Sequence, residues 1–269
     1  REEEMRVALL QYSIAWADKE TNLRMAEEHI AALAGKADVA VLPEMFATGF
    51  CTDHPELAET MDGEIIRRLQ AVADKTGVAI VSSFICLPDS RHLLPDTPAK
   101  LRNRGFMIKP HAEIEIQDKR HLYAHGGEDL FFQPAQKRHI FEYKGVKFLL
   151  LVCYDLRFPV WARNRTGHDY DIILVVANWP DIRIQYWDAL IAARATENQC
   201  YIAAVNCVGD DGMGLHYNGH SVAYDTRLQP IVSFADNEEG TKITEFDIDK
   251  LHHFREVLPL WKDIDHFTL

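Results

Sequence analysis

The chain contains several short apolar runs, and the most informative of them is followed by a cysteine. The run Val146-Lys-Phe-Leu-Leu-Leu-Val152 is broken only by Lys147, which is typical of a strand buried on both faces. It delivers Cys153 to its carboxyl end, where polar and aromatic residues follow at once. Open α/β sheets usually place their functional sites beyond such strand ends. Cys153 is therefore a candidate site residue, and a core thiol is the alternative for any lone cysteine after a strand.

The spacing of hydrophobic residues predicts that helices alternate with strands in the first and last thirds of the chain. In the middle of the chain it predicts a cluster of strands. Strands are predicted at 6–11, 39–42, 78–85, 104–108, 113–117, 139–143, 146–152, 171–177, 201–206, 219–224, 231–234 and 242–247. Helices are predicted from a cap at Thr21 to Gly35, from Asp62-Gly63 to Gly77, near 160–165 and over about 186–199. We expect residues 87–100 to be a loop and the tail from His252 to be irregular.

This order of elements favours an α/β fold in which helices cover a two-sheet core. A regular eightfold barrel would need strands and helices to repeat evenly, and they do not. No linker-like, repetitive or low-complexity segment divides the 269 residues, so we expect a single domain over 5–269. Residues 1–4 precede the first strand pattern and have the composition of a tag or a ragged start.

Composition and charge narrow the class of protein. The chain is 47% hydrophobic and 26% charged, which is ordinary for a soluble enzyme. A formal charge of −12 argues against nucleic acid or an anionic membrane as the main partner. We see no signal peptide and no apolar run near the roughly 18 residues that a membrane span needs. Five cysteines without CxxC spacing suit a reducing compartment, so a cytoplasmic location is expected.

Glu44, Lys119 and Cys153 each follow an extended stretch by one or two residues. If those strands are neighbours that run the same way, the three side chains converge on one edge. A thiolate is a strong nucleophile, a carboxylate can take its proton, and an ammonium group can stabilise an oxyanion. Together they suffice for acyl transfer.

Each of these residues also has a simpler interpretation. Glu44 is equally typical of a surface carboxylate at the start of a loop, and Lys119 lies in a charge run, Asp-Lys-Arg-His, of the kind usually found in solvent. Glu128 follows two glycines and suits a helix cap or an exposed loop. Only their occurrence together raises the catalytic interpretation above these alternatives.

The blocks Leu-Pro-Glu44-Met-Phe, Asp-Lys119-Arg-His-Leu and Leu-Val-Cys153-Tyr-Asp-Leu-Arg-Phe-Pro resemble the three signature blocks of the nitrilase superfamily, the carbon–nitrogen hydrolases. Their order and spacing match that family, and the form of the cysteine block resembles its omega-amidase branch. The match extends along most of the chain through Gly-Gly-Glu128, Ala177-Asn-Trp-Pro180, Arg194-Ala-Thr-Glu-Asn198, Asn206 and Gly219-His-Ser221.

The resemblance implies a four-layer α-β-β-α sandwich that forms a homodimer through a helical layer. It implies that Glu44 is the general base, Lys119 the oxyanion stabiliser and Cys153 the nucleophile. Glu128 matches a second glutamate that helps to position the substrate and Lys119. The backbone N–H of Tyr154 would complete the oxyanion hole.

The resemblance also implies a small-molecule amide substrate and no cofactor. Omega-amidases hydrolyse the terminal amide of short dicarboxylic monoamides, whose far end is a carboxylate. Arg157 is our candidate for binding that carboxylate, because a guanidinium grips it bidentately. The structural alternative is that Arg157 forms an ion pair, either with Asp155 or with a carboxylate of a later helix. Trp179 and Phe46 are candidate pocket walls, and both also suit the core.

Several readings stay open at this point. A nitrilase, a carbamoyl-amino-acid hydrolase or an aliphatic amidase would use the same triad, and a non-catalytic scaffold is a remote alternative. We expect no metal site, because His121, His125 and His139 lack the spacing of metal-binding motifs.

Overall fold

The computed structural model describes residues 4–88 and 100–268, so most of the loop expected at 87–100 lies outside the described residues. The strands are β1 (Glu4–Gln11), β2 (Val39–Val41), β3 (Ala79–Cys86), β4 (Arg102–Ile108), β5 (Glu115–Asp118), β6 (Phe141–Tyr143), β7 (Val146–Val152), β8 (Ile172–Val176), β9 (Tyr201–Val205), β10 (Val208–Asp210), β11 (His216–Asn218), β12 (Val222–Tyr224), β13 (Pro230–Ser233) and β14 (Gly240–Asp247). The helices are α1 (Lys19–Ala31), α2 (Glu64–Thr76), α3 (Glu128–Phe131), α4 (Pro159–Ala162), α5 (Ile184–Asn198) and α6 (Ile248–Val257).

Two six-stranded sheets form the centre of the molecule. The first has the order β14-β1-β2-β3-β4-β5, and the second has the order β13-β12-β9-β8-β7-β6. In each sheet three parallel strands, β1-β2-β3 and β7-β8-β9, are flanked by antiparallel strands. Parallel strands need crossover segments, and these supply the helices on the sheet faces.

The buried side chains divide into layers that follow from the strand pattern. One face of each sheet packs against the other sheet, through residues such as Val41 and Leu150. The outer face of the first sheet packs on α1 and α2, for example through Ile30 and Leu69. The outer face of the second sheet packs on α5, for example through Ile191. The predicted four-layer α-β-β-α sandwich is confirmed.

Most predicted elements are present, with ends shifted by a few residues. The hairpin predicted across Lys144-Gly145 joins β6 to β7, and both residues have positive φ, as a two-residue hairpin turn requires. The helix predicted from Thr21 is instead capped by Asp18, whose carboxylate accepts from the Thr21 N–H. The predicted helix near 160–165 is only the single turn α4. Glu4, placed before the domain by the sequence, is the first residue of β1 and lies opposite Asp247.

Two features were not predicted. The segment from His252 was expected to be irregular, and that is wrong for 252–257, which lie in α6. The helix begins at a cap in which the Asp247 carboxylate accepts from the Lys250 N–H, and it buries Leu251 and Arg255. The short hairpin of β10 and β11 was also missed. No helix within 4–88 and 100–268 is long and apolar enough to cross a membrane.

The topology brings several strand ends to one edge of the sandwich. In the first sheet β2 and β5 run in the same direction, because β3 is parallel to β2 and two antiparallel steps lead from β3 to β5. Both strands therefore end at the same edge, with Glu44 and Lys119 just beyond them. Cys153 stands directly after β7, whose inner face packs on the first sheet.

Candidate active site

A buried ammonium group lies between two buried carboxylates at this edge. Lys119 Nζ is 2.9 Å from Glu44 Oε1 and 2.9 Å from Glu128 Oε2. All three side chains are 0% exposed, so each charge depends on the others for compensation. Lys119 Nζ also lies 5.2 Å from the centroid of the Phe50 ring. Two of the three N–H donors of Lys119 are engaged, and one remains for a substrate.

Amide groups fix the orientation of the two carboxylates. Asn103, at the start of β4, donates from Nδ2 to Glu44 Oε1 at 2.8 Å and to Glu128 Oε1 at 2.9 Å. The Asn178 N–H donates to Glu44 Oε2 at 3.1 Å, and its side chain donates to the Glu44 carbonyl. The Tyr123 N–H donates to Glu128 Oε2 at 2.7 Å. Both carboxylates are thus held rigidly through both of their oxygens.

The nucleophile candidate sits on strained backbone. Cys153 begins a 3₁₀ helix that ends at Arg157, and its φ of 47° lies in the left-handed region. Met45, next to Glu44, has a φ of 48°. Non-glycine residues adopt such values at a cost of about 1–3 kcal/mol, and they concentrate at functional sites. The sharp turn holds Cys153 Sγ 3.7 Å from the Asn178 carbonyl oxygen, close to the segment that orients Glu44.

The electrostatics of the cluster keep the thiol protonated at rest. Burial raises the pKa of Cys153 well above its ordinary value, the charge of Glu44 raises it further, and Lys119 acts in the opposite direction. Burial alone would lower the pKa of Lys119, but the charges of Glu128 and Glu44 outweigh burial and raise it. Burial raises the pKa of Glu128, against the opposing attraction of Lys119. The resting site therefore pairs a neutral thiol with a charged ammonium group.

Tyr154 occupies the first turn of the 3₁₀ helix after β7. Backbone N–H groups in the first turn of a helix lack partners within that helix, so this N–H is open to an external acceptor. The Tyr154 ring packs edge-on against Tyr123 at 5.1 Å and Phe158 at 5.0 Å, which fixes the turn. The Tyr154 N–H therefore lies next to the thiol on a turn that its ring packing holds in place.

A cavity of about 150 Å³ opens onto the cluster. It is lined by Cys153, Lys119 and Glu44 at its base, and by Arg157 and Trp179 among its walls. Its size suits a substrate of a few heavy atoms, such as a small amide.

Phe46 does not lie where the sequence predicted. It is 3% exposed and packs in the core between the first sheet and its helices, away from the residues that line the cavity. Phe50 lines the cavity instead. The chain between them turns sharply, and the N–H of Gly49 donates to the Met45 carbonyl. The prediction for Phe46 therefore named the wrong phenylalanine.

Trp179 and Arg157 form one wall. Trp179 N–H donates to Asn206 Oδ1 at 2.8 Å, and Asn206 Nδ2 donates back to the Trp179 carbonyl at 2.9 Å. The Arg157 guanidinium lies 5.0 Å from the ring of Trp179 and 5.0 Å from that of Tyr186. The alternative of an ion pair between Arg157 and Asp155 does not occur.

Asp155 binds the N–H groups of Val152 and His121 and the His121 ring. It therefore ties the turn after β7 to the segment that follows Lys119. Across the described ranges we find no group of three or more His, Cys, Asp or Glu side chains placed to hold a metal ion.

Comparisons with known proteins agree with this geometry. The family described as carbon-nitrogen hydrolase matches residues 6–256. The chain belongs to this family. The prediction from the three signature blocks is thereby confirmed, and the protein is a hydrolase of non-peptide carbon–nitrogen bonds.

The hydrolase is similar to proteins of known name over nearly its whole length. It is 37% identical to omega-amidase YafV of Escherichia coli (strain K12), covering 98% of each chain. It is 32% identical to 2-oxoglutaramate amidase of Bacillus subtilis (strain 168), covering 96% of each chain. Among solved structures it resembles XC1258 from Xanthomonas campestris, a CN-hydrolase superfamily protein with an arsenic adduct in its active site. That similarity has a TM-score of 0.92 at 36% identity, covering 99% of each chain.

Sequence reasoning missed several residues of this site, and Asn103, Asn178, Phe50 and Arg183 are the most informative of them. Asn103 lies directly before the strand predicted at 104–108, and no pattern distinguishes an amide that turns inward there. Asn178 was quoted as part of a motif without a role. Phe50 and Arg183 line the cavity but stand in segments without a regular period. Asn103, Asn178 and Arg183 lie near a predicted strand end or helix start, which is the only signal that the sequence offered for them.

The state of the thiol can be tested by alkylation with iodoacetamide across pH. Because the pKa of Cys153 is raised, its thiolate fraction at pH 7 is small and grows as the pH rises. The alkylation rate should keep rising beyond about pH 8.5, where an ordinary cysteine begins to level off. The other four cysteines are buried, so Cys153→Ala should remain unlabelled and serve as the control. A rate that is already constant below pH 8 would contradict a neutral resting thiol.

Proposed function

We propose that this hydrolase is an omega-amidase that releases ammonia from the terminal amide of 2-oxoglutaramate, 2-oxosuccinamate or succinamate. The observation that carries the proposal is a small cavity with an acyl-transfer cluster at its base and the Arg157 guanidinium in its wall. A monoamide of a dicarboxylic acid has an amide at one end, which suits the acyl-transfer cluster, and a carboxylate at the other, which suits the guanidinium. The names of the E. coli and B. subtilis relatives support the same substrate class.

The first half of the reaction forms a thioester. Glu44 accepts the proton of the Cys153 thiol as sulfur attacks the amide carbon, so the thiolate never has to accumulate in the resting enzyme. Negative charge then develops on the amide oxygen. The free N–H of Lys119 and the Tyr154 N–H are the donors for that charge, and both are fixed before the substrate arrives.

The second half releases the acid. The tetrahedral intermediate collapses, the carbon–nitrogen bond breaks, and the nitrogen takes the proton from Glu44 and leaves as ammonia. A water molecule then gives a proton to Glu44 and attacks the thioester carbon. The carbon–sulfur bond breaks, the proton returns to sulfur, and the free acid departs. The cycle needs only the carboxylate, the ammonium and the thiol of this chain.

Glu128 supports this cycle without taking a proton. Its carboxylate holds Lys119 Nζ at 2.9 Å and is itself held by Asn103 and by the Tyr123 N–H. Lys119 thereby stays aimed at the cavity when Glu44 becomes protonated and its attraction for Lys119 falls. Glu128 is thus a positioning residue.

Arg157 binds the distal carboxylate of the substrate in this proposal. Its guanidinium lies between the rings of Trp179 and Tyr186, which orient it without using its N–H donors. Within the part of the chain that the structure describes, no carboxylate lies within ion-pair distance of Arg157. A substrate carboxylate would therefore meet donors that are already oriented and unoccupied.

The proposal extends to a cytoplasmic homodimer. Val257 and Leu258, at the end of α6, are 68% and 45% exposed, and Val160 of α4 is 56% exposed. These apolar side chains support contact with a second copy through a helical layer. The free state of all five cysteines supports a reducing compartment. Neither nucleic acid nor a membrane is a partner in this proposal.

The substrate class is tested by ammonia release from 2-oxoglutaramate, succinamate, N-carbamoyl-β-alanine and a simple aliphatic nitrile. We expect rapid turnover of the first two compounds and little of the others. Cys153→Ala should abolish that turnover, because the nucleophile is lost. Turnover confined to the carbamoyl compound or to the nitrile would overturn the omega-amidase assignment, and full activity of Cys153→Ala would overturn the mechanism.

The role of Arg157 is tested by Arg157→Met, which keeps much of the side-chain volume and removes the charge. Hydrogen bonds to charged groups contribute about 1.5–3 kcal/mol, so KM for succinamate should rise about 10- to 100-fold. KM for propionamide, which lacks the distal carboxylate, should change little. The matched control is Arg227→Met, at an exposed position outside the cavity. Equal losses on both substrates would contradict a carboxylate-binding role.

A further inference from the structure

A second arginine, Arg183, lines the cavity and takes no part in the proposed reaction. Arg183 ends the 3₁₀ helix Asp181–Arg183, directly before α5, and lines the same cavity as Cys153 and Arg157. A substrate with a single carboxylate needs only one guanidinium group to bind it bidentately. The presence of two in a cavity of about 150 Å³ calls for a ligand with more acceptors.

Neither arginine is neutralised by the protein. The acidic residues of the outer cavity are Asp53 and Asp211. The Asp211 carboxylate accepts from the Tyr217 hydroxyl at 2.8 Å and from two backbone N–H groups of its own hairpin. Asp53 lies 3.6 Å from the His54 ring. For residues 4–88 and 100–268, no ion pair reaches Arg157 or Arg183, so both carry their charge into the cavity.

One aromatic ring lies on the guanidinium of Arg183, as two rings do on that of Arg157. Its guanidinium lies 5.6 Å from the centroid of the Tyr123 ring, and the Tyr123 N–H is held by Glu128. Contact with a ring face leaves the N–H donors of a guanidinium free for a ligand. The backbone of Arg183 is fixed as well, because its carbonyl accepts from Trp179 Nε1 at 2.8 Å.

Trp179 therefore couples the two arginines. Its ring faces the Arg157 guanidinium, and its indole N–H holds the backbone of Arg183. The Asn206 side chain in turn binds both the backbone N–H and the backbone carbonyl of Trp179. A single 3% exposed side chain thus contacts the guanidinium of Arg157 and the backbone of Arg183.

We propose that Arg183 determines specificity by recognising the 2-oxo acid end of the substrate together with Arg157. A 2-oxo acid presents three oxygens, two from the carboxylate and one from the adjacent carbonyl, whereas a plain carboxylate presents two. One fork pairs bidentately with the carboxylate, and the second fork reaches the remaining 2-oxo oxygen. This inference rests on the proposed omega-amidase function and adds a preference for 2-oxo monoamides within it.

The test compares 2-oxoglutaramate with glutaramate, which has the same length and lacks only the 2-oxo group. In Arg183→Met, kcat/KM for 2-oxoglutaramate should fall about 10- to 100-fold, the effect of a lost charge-assisted hydrogen bond. For glutaramate the fall should be less than about threefold, because Arg157 still binds its carboxylate. Arg183→Lys keeps the charge and loses the fork, so it should show a smaller loss of the same preference.

The controls separate this inference from the proposed function and from misfolding. Arg227→Met, outside the cavity, should keep the wild-type ratio of the two substrates. Equal losses on both substrates in Arg183→Met, or an unchanged ratio, would overturn the role of Arg183 while wild-type turnover of both still supports an omega-amidase. If Arg183→Met fails to fold, an unchanged ratio in Arg183→Lys would overturn it equally. Failure of the wild type on both amides would overturn the proposed function itself.

Discussion

The structure of this site depends on the burial of the Lys119 ammonium group between Glu44 and Glu128. An isolated buried charge is costly, and removing one member of a buried pair leaves the other uncompensated. Here each oxygen of both carboxylates has a donor from Lys119, Asn103 or a backbone N–H. The cluster therefore ties together the ends of β2 and β5, the start of β4 and the first residue of α3. The site edge of the sandwich is rigid because these charges cannot separate at low cost.

The same charges decide how the thiol reacts. Burial and Glu44 raise the pKa of Cys153, so in the proposed mechanism the nucleophile is generated only when Glu44 takes its proton in contact with the substrate. Lys119 stays charged throughout, because its pKa is raised by the two carboxylates. A resting neutral thiol is less prone to unwanted oxidation and alkylation than a free thiolate. The arrangement thus favours proton transfer that is coupled to attack over a permanently activated cysteine.

The sequence was sufficient to predict the layers and the convergence of Glu44, Lys119 and Cys153 on one cavity, because both depend on strand ends. Buried runs such as Val146–Val152 identify parallel strands, and Glu44 and Cys153 follow two such strands. Lys119 follows the antiparallel strand β5, which runs in the same direction as β2. The errors arose in segments where the spacing of hydrophobic residues does not show which side chain faces the site. Met45 has a left-handed φ, so neither a helical nor a strand period could tell that Phe50 rather than Phe46 faces the cavity. Asn103 comes from an antiparallel strand that begins at the site edge, and the buried face of α6 includes the charged residue Arg255.

The most direct test of this account is a rapid acid quench of the first turnover, with enzyme in excess over 2-oxoglutaramate. Ammonia, free acid and the mass of the peptide that contains Cys153 would be followed together. The account predicts that ammonia appears with an acyl adduct on Cys153 and that the free acid appears later, as the adduct decays. Simultaneous release of ammonia and acid from an enzyme whose Cys153 peptide stays unmodified would contradict a thioester formed at this cysteine.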